Sequence, residues 1–291
     1  MKDYNYGLAS SVVFVLFLVL GYGPPALRAE LIRAATFEDG TFGDLVDANS
    51  CCSHSQQIVT SPTGSGRFAS RFESRSNDPE SGSTPGKTMR GWNNTGNTGT
   101  ERWYGFSIYI DPSWRDSTKD VNGTIVFQWH RSNDPCEGGK GSYLALQIMP
   151  NDTWQLRSLS DSNSCSTSQS IKKQSWNLGT IKKGAWTYFV VNAKWSYEAD
   201  GFLKVWKDGV LQVNYSGPND FKDENLGFIR FGIYKSWWKR EQPSPADILI
   251  AYYDNVRIAG PGSSYTDVAP QQSPATLPAA PTNLQVGSVE P

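Results

Sequence analysis

Residues that could bind an anion and move protons recur at alternate positions in three short stretches of the chain. In chain order they are Arg71, Glu73 and Arg75, then Gln128 and His130, then Arg230 and Tyr234. A guanidinium binds anionic groups, a primary amide donates hydrogen bonds, and an imidazole or a phenol can carry a proton in a reaction. These residue types are therefore candidates for a binding site with acid–base chemistry.

Each stretch has the alternation of a β-strand, in which successive side chains point to opposite faces. In residues 228–234, Ile229, Phe231 and Ile233 oppose the polar positions, and residues 124–130 repeat the design, with Thr124 and Val126 on the face of Gln128 and His130. If the three strands are neighbours in one sheet, their polar faces form one groove. Gly232 would then give clearance for a ligand ring.

The rest of the chain predicts an all-β fold. Short alternating runs are separated by turn signals, and no segment beyond the first 29 residues has a convincing helical period. About a dozen strands suit a two-sheet β-jelly roll, a concanavalin A-like sandwich with a concave substrate groove. Residues 76–100 and 160–175 are rich in small polar residues and are predicted to be loops.

The composition restricts the possible functions less than the motifs do. The net charge of -1 provides no field that would attract nucleic acid, and we expect a monomer. Aromatic residues make up 13%, with 11 Trp, a content that suits stacking on sugar rings and equally suits a well-packed sandwich.

The ends of the chain differ from its centre. Residues 1–29 resemble a secretory signal, because the apolar run 12–20 is too short to span a bilayer. A cut after Ala29 leaves Leu27 where a small residue is preferred. Residues 30–259 form the predicted domain, and residues 260–291, rich in Pro, Ser and Ala, are expected to be a flexible tail or linker. The mature protein is thus expected to be extracellular and free of the membrane.

The chain has 4 Cys, an even number that agrees with secretion. A bridge between Cys136 and Cys165 is plausible across a polar segment. Cys51 and Cys52 are adjacent and could bridge each other or pair elsewhere. Sequence alone does not choose among the connectivities.

The three stretches together resemble the motifs of jelly-roll polysaccharide lyases, including the alginate lyases. The wider context, Trp195 with residues 200–206 and residues 231–234, is similar to the heparin lyase I and glucuronan lyase group over about residues 36–259. One departure is Arg230, where the pattern usually has Lys, which keeps the charge but changes the hydrogen-bond geometry.

The resemblance implies β-elimination in a uronic-acid-containing polysaccharide such as glucuronan, alginate or a heparin-like chain. Arg71 or Arg75, with Gln128, would stabilise the charge that develops on the uronate carboxylate. Tyr234 would protonate the leaving oxygen, and either His130 or Tyr234 would remove the C5 proton. Arg230 would help Tyr234 act, and Glu73 would orient the arginines. No cofactor is required for this chemistry.

Further positions were assigned to substrate binding or to a metal. The substrate positions are Asn192 and Lys194, with Lys204 on the same face, the cluster of Lys235, Trp237, Trp238, Lys239 and Arg240, and His54 on a loop. Glu38 and Asp254 resemble the structural calcium site of many jelly rolls, since calcium prefers oxygen ligands.

Two other functions compete with the lyase interpretation. A non-catalytic carbohydrate-binding jelly roll would need the aromatic residues but not His130 and Tyr234 on a cationic face. A glycoside hydrolase needs two carboxylates beside the scissile bond, and no strand carries closely alternating acids. Whether the protein acts in the endo or the exo mode does not follow from the sequence.

Overall fold

A computed structural model describes residues 31–79, 86–96, 98–115, 123–235, 238 and 247–270. The predicted signal, Trp237, Lys239, Arg240 and the last part of the predicted tail lie outside these ranges. No helix in the described ranges has the length and apolar character needed to cross a membrane.

The described chain is built almost entirely of strands. Their bounds are β1 Leu31–Ala35, β2 Val46–Ala48, β3 Gln56–Val59, β4 Ala69–Arg75, β5 Lys87–Gly91, β6 Glu101–Ile110, β7 Thr124–His130, β8 Leu144–Met149, β9 Thr153–Ser160, β10 Lys172–Thr180, β11 Trp186–Lys194, β12 Phe202–Lys207, β13 Val210–Ser216, β14 Phe228–Tyr234 and β15 Ile248–Ala259. One short helix, α1, spans Tyr265–Val268.

The strands form two antiparallel sheets, which confirms the predicted jelly roll. The eight-stranded sheet has the order β13-β12-β11-β6-β15-β4-β3, with β1 also paired to β15. The seven-stranded sheet has the order β10-β9-β8-β7-β14-β5-β2. Each sheet places one face of its alternating side chains inside and the other outside.

A stack of phenylalanine rings joins the two sheets at the centre of the core. Phe106 of the eight-stranded sheet stacks on Phe127 of the seven-stranded sheet at 4.0 Å between centroids. Phe189 extends the stack on one side and Phe231 on the other. Because Phe127 and Phe231 point inward on β7 and β14, the neighbouring Gln128 and Arg230 point outward.

The three strands with alternating polar residues are not all neighbours in one sheet. β7 and β14 pair with each other, but β4 lies in the eight-stranded sheet between β15 and β3. The neighbour of β14 on its other side is β5, which falls inside the predicted loop 76–100. The sequence did not predict this strand, because its five residues lie between segments rich in Gly, Ser and Pro.

Both disulfides are formed within the described chain. Cys136 bonds Cys165, as the sequence suggested, and Cys51 bonds its neighbour Cys52.

The folded part continues past the predicted domain end at residue 259. Helix α1 packs on the outer face of the eight-stranded sheet, where Val268 is completely buried with Val190 and Ala259. Gly105 permits this contact, because a Cβ there would lie 1.8 Å from the Val268 carbonyl oxygen. Residues 260–270 are therefore part of the packed structure, unlike the flexible segment predicted from the composition.

Candidate active site

A groove of about 490 Å³ lies on the outer face of the seven-stranded sheet. Its lining comes mainly from β5, β7, β8, β9 and β14 and from the loop before β8. The lining residues are Lys87, Gly123, Ile125, Gln128, His130, Lys140, Gly141, Ser142, Gln147, Arg157, Phe228 and Tyr234. Gln128, His130 and Tyr234, which we predicted from the sequence, therefore meet in one cavity.

A bulge in β7 changes which residues face this groove. Ile125 pairs with Gln147 and Phe127 with Leu146, so Val126 is an extra residue in the strand. Val126 is completely buried in the core, whereas Ile125 lines the groove. The prediction that Val126 shares the face of Gln128 is wrong, because a bulge breaks the strict alternation.

A second bulge in β14 explains Gly232. The pairing with β7 shifts between Phe231 and Tyr234, and Gly232 has a φ of 134°. A Cβ at this position would lie 2.2 Å from the carbonyl oxygen of Thr88 on β5. Gly232 is thus required for backbone packing within the sheet, and the predicted role in clearing space for a sugar ring is wrong.

Tyr253 of the eight-stranded sheet contacts both bulges from the core side of the groove strands. Its hydroxyl lies 2.7 Å from the carbonyl oxygens of both Val126 and Gly232, to which it can donate in turn. This contact holds the two irregular strand segments beneath the groove in a fixed relation.

His130 ends β7 with a defined tautomer. Its Nδ1 hydrogen-bonds to the carbonyl oxygen of Arg131, which can only accept, so Nδ1 carries the proton and Nε2 keeps its lone pair. The ring stacks on Phe228 at 5.2 Å. Burial lowers the pKa of His130 to about 4, and the charges of Lys87, Lys140 and Arg157 act in the same direction. The imidazole is therefore neutral and able to accept a proton at ordinary pH.

Gln128 presents its amide with a fixed orientation. The hydroxyl of Ser142 donates to Oε1 at 2.7 Å, and Nε2 lies 3.5 Å from the sulfur of Met89, a weak acceptor. Since Oε1 is occupied by a donor, the amide offers N–H groups to a ligand in the groove.

None of the three cations that line the groove, Lys87, Lys140 and Arg157, was among the predicted site residues. Lys87 of β5 lies opposite Tyr234, with its ammonium 5.4 Å from the phenol ring centre, and burial followed by the charge of Arg230 lowers the pKa of Lys87. Arg157 of β9 has a lowered pKa from burial alone. Lys87 was missed because β5 was taken for loop, and Arg157 because the order of the strands was unknown.

The charge of the groove is unbalanced. No Asp or Glu is among the residues that line it in the described chain. Lys140 is neutralised from below, because its ammonium pairs with Glu137 and Asp223. Among the described residues no carboxylate pairs with Lys87 or Arg157, so the groove is suited to an anion.

Arg230 lies on the groove face of β14 at the boundary of a second cavity of about 560 Å³, and Phe228 lines both cavities. Its guanidinium donates to the carbonyl oxygen of Trp92 at 3.1 Å and to Oδ1 of Asn93 at 2.6 Å. These acceptors are neutral, so the positive charge of Arg230 is retained.

The predicted arginine pair lies elsewhere. Arg71 and Arg75 both pair with Glu73, on the outer face of the eight-stranded sheet. Phe72 between them packs in the core against Phe231, which directs its neighbours on β4 away from the groove. These three charged residues form their own cluster on the opposite side of the sandwich and do not reach the groove.

Other predicted substrate residues are also outside the groove. Asn192 donates to Glu101, and Lys194 pairs with Asp200, both on the outer face of the eight-stranded sheet. Lys235 is completely buried just after β14, and Trp238 is 1% exposed. His54, in the loop before β3, lies 3.0 Å from Asp78 and is not among the residues that line the groove.

The predicted calcium ligands are engaged by backbone donors. Glu38 accepts hydrogen bonds from the amides of Arg67 and Phe68 with its two oxygens. Asp254 accepts from Gly64, Ser65 and Asn255, and burial raises the pKa of Asp254 to about 6. Each of the four carboxylate oxygens already accepts a hydrogen bond from a backbone amide, so none of them requires a cation as a partner. The calcium ion stays a prediction.

Comparisons with known proteins agree with this architecture. A family model described as polysaccharide lyase matches residues 37–257. The endo-β-1,4-glucuronan lyase of the fungus Trichoderma reesei superimposes with a TM-score of 0.68 at 19% identity, over 84% of this chain and 100% of that one. The PL-14 alginate lyase of Aplysia kurodai gives a TM-score of 0.54 at 13% identity, over 80% of this chain and 100% of that one.

No curated protein sequence matches the chain. At these identities the solved structures establish the fold, whereas the family model spans most of the sequence and covers every strand of the groove. The chain belongs to the polysaccharide lyase family.

Proposed function

We propose that this lyase cleaves a uronic-acid-containing polysaccharide by β-elimination. One observation carries the proposal: a groove lined by cations and without a lining carboxylate holds a neutral imidazole and a phenol together. The cations favour an anionic sugar, and the imidazole and phenol supply the base and the acid that elimination requires.

The first step requires stabilisation of the substrate carboxylate. The C5 proton of a uronate is not acidic while the adjacent carboxylate keeps its full negative charge. Donors aimed at that carboxylate stabilise the enolate-like charge that develops when the proton leaves. Gln128 and Lys87 take this role in the proposal, in place of the arginines that the sequence suggested, because both line the groove.

The base and the acid then act on the same sugar. His130 Nε2 takes the C5 proton, the electron pair forms the C4–C5 double bond, and the C4–O4 bond breaks. Tyr234 gives its phenolic proton to the departing oxygen. The tautomer of His130 favours it as the base, since Nδ1 already holds a proton and only Nε2 can accept one.

The groove gives less support to the competing functions. A glycoside hydrolase uses two carboxylates beside the scissile bond, and none lines the groove in the described chain. A purely binding jelly roll does not require an imidazole that can accept a proton and a phenol in the same groove. Two disulfides suit an extracellular protein, and we propose that the lyase is secreted and acts as a monomer.

Ultraviolet absorbance during incubation with a panel of polyuronates tests the proposal. The panel contains polyglucuronate, alginate and a heparin-like chain. Elimination leaves an unsaturated uronate that absorbs, and hydrolysis does not. We expect absorbance to rise with at least one polymer and to stay flat with the Tyr234→Phe and His130→Gln variants. A wild-type protein that binds a polyuronate without any rise would be a binding module instead of a lyase.

A further inference from the structure

We propose that Arg157 binds an acidic group on a sugar other than the one that loses its proton, so that the preferred substrate carries acids on consecutive sugars. This inference rests on the proposed function, because it concerns the same groove. It makes the preferred substrate a contiguous polyuronate, as opposed to a polymer in which uronates alternate with neutral sugars.

The first support is that Arg157 lacks a partner. Its Nε is buried and has no hydrogen-bond partner, and no carboxylate pairs with its guanidinium among the residues that the structure describes. The other arginine of this sheet's outer face, Arg230, is hydrogen-bonded to Trp92 and Asn93. Arg157 is partly buried, and a buried Nε without an acceptor is costly to a folded protein unless a ligand supplies one.

The second support is the position of Arg157 in the sheet. Arg157 pairs with Ala145, Ala145 with Gln128, and Gln128 with Arg230, so these residues form one row across four strands. Adjacent strands are about 4.8 Å apart, which separates Arg157 from Gln128 by about 10 Å at the backbone. The two side chains therefore address different places along the groove.

The residues next to Arg157 in this row and in the loop above it are small, and Ala145 is completely buried. Ala145 has only a methyl group between the guanidinium and the Gln128 amide. Gly141 lies over the guanidinium, and a Cβ there would be 3.2 Å from Nη2 of Arg157. The row therefore has a cation at each end, Arg157 and Arg230, and a hydrogen-bonding amide between them. A chain that crosses the strands with an acid on every sugar can satisfy all three groups.

Binding and kinetics of the full chain test this inference with an Arg157→Gln variant. The probes are polyglucuronate and a polymer in which glucuronate alternates with N-acetylglucosamine. We expect the wild type to prefer polyglucuronate, and Arg157→Gln to weaken binding to it by about 10- to 100-fold, the range for a lost charge-assisted hydrogen bond. KM should rise with little change in kcat, and affinity for the alternating polymer should hardly change.

Two further variants control for charge and folding. Arg67→Gln removes an exposed arginine that lies outside the groove and should bind both polymers as the wild type does. Arg157→Lys keeps the charge and should retain most of the affinity. The melting temperature of Arg157→Gln should not fall, because no partner in the described chain loses a contact.

The outcomes separate this inference from the proposed function. Equal binding of polyglucuronate by the wild type and Arg157→Gln would overturn the role of Arg157, whether or not the protein is a lyase. Loss of binding in Arg157→Gln without any unsaturated product in the wild type would support the role of Arg157 and refute the elimination. Failure of the wild type to prefer polyglucuronate over the alternating polymer would also overturn the inference.

Discussion

The pH dependence of activity should show a catalytic base with an unusually low pKa. Burial lowers the pKa of His130 to about 4, compared with about 6.5 for an unperturbed histidine. At pH 5.5 about 97% of His130 would then be neutral, whereas about 9% of an ordinary histidine would be. We expect kcat/KM to stay near its maximum at pH 5.5 and to fall by half only near pH 4.

Nuclear magnetic resonance can measure this pKa directly, because the chain has 2 His. Titration of the two imidazole signals, with His54→Gln to assign them, should show one group that remains neutral well below pH 6. Removal of a nearby cation provides a graded control. Lys87→Met should raise the pKa of His130, but by less than full exposure of the ring would, since burial is the larger cause.

The same shift has a consequence for stability. Between about pH 6.5 and 4, His130 is protonated in the unfolded chain but neutral in the folded chain. The free energy of unfolding therefore falls as the pH is lowered through that range. His130→Gln should remove this part of the pH dependence. A His130 signal that titrates near pH 6.5, together with a kcat/KM profile that falls at that pH, would refute the reasoning about the buried base.

Three further changes test the geometry. The double variant Arg71→Gln with Arg75→Gln should leave kcat/KM unchanged and lower the melting temperature, because buried Glu73 loses both partners. A large loss of kcat at unchanged KM would instead mean that the two arginines take part in catalysis. Gly232→Ala should destabilise the fold by more than about 3 kcal/mol in chemical denaturation, because it combines a positive φ with a backbone clash, and wild-type stability would contradict the bulge. Replacing Cys136 and Cys165 by serine should cost about 3–4 kcal/mol by the loop-closure relation, and an unchanged denaturation midpoint would show that the reduced loop is already ordered.

The local alternation of the sequence predicted much of the groove. On β7 and β14 the inward residues Phe127 and Phe231 are aromatic and the outward residues include Gln128 and His130, so the face of each strand could be assigned without a structure. The two strands pair directly in the structure, where Gln128 lies opposite Arg230. This part succeeded because a two-residue period is a property of a short segment alone.

The two bulges could not be predicted in this way. Ile125 and Val126 are both β-branched and apolar, so either could face the core, and nothing local indicates which one is the extra residue. The structure resolves the choice through Tyr253, whose hydroxyl reaches the backbone of both bulged strands. For β7 that contact comes from a residue 127 positions away in the chain.

Strand order caused the larger error. Arg71, Glu73 and Arg75 have the spacing that an active-site strand would have, and the alternation is the same whichever sheet a strand joins. β4 is placed in the eight-stranded sheet by its pairing with β15, in which Tyr252 lies opposite Arg71. Such pairings join residues far apart in sequence and leave no periodic signal.

The two arginine sites differ in whether their charges are compensated within the described chain. Arg71 and Arg75 satisfy Glu73, whose pKa is lowered by their hydrogen bonds although burial acts to raise it. That cluster is electrostatically complete and needs no ligand. Arg157 and Lys87 are partly buried, and no carboxylate of the described ranges pairs with them. Burial disfavours their charges and lowers the pKa of each. A fold keeps such charges when an anionic ligand completes them, so the uncompensated groove, and not the stronger sequence motif on β4, is where the substrate is expected to bind.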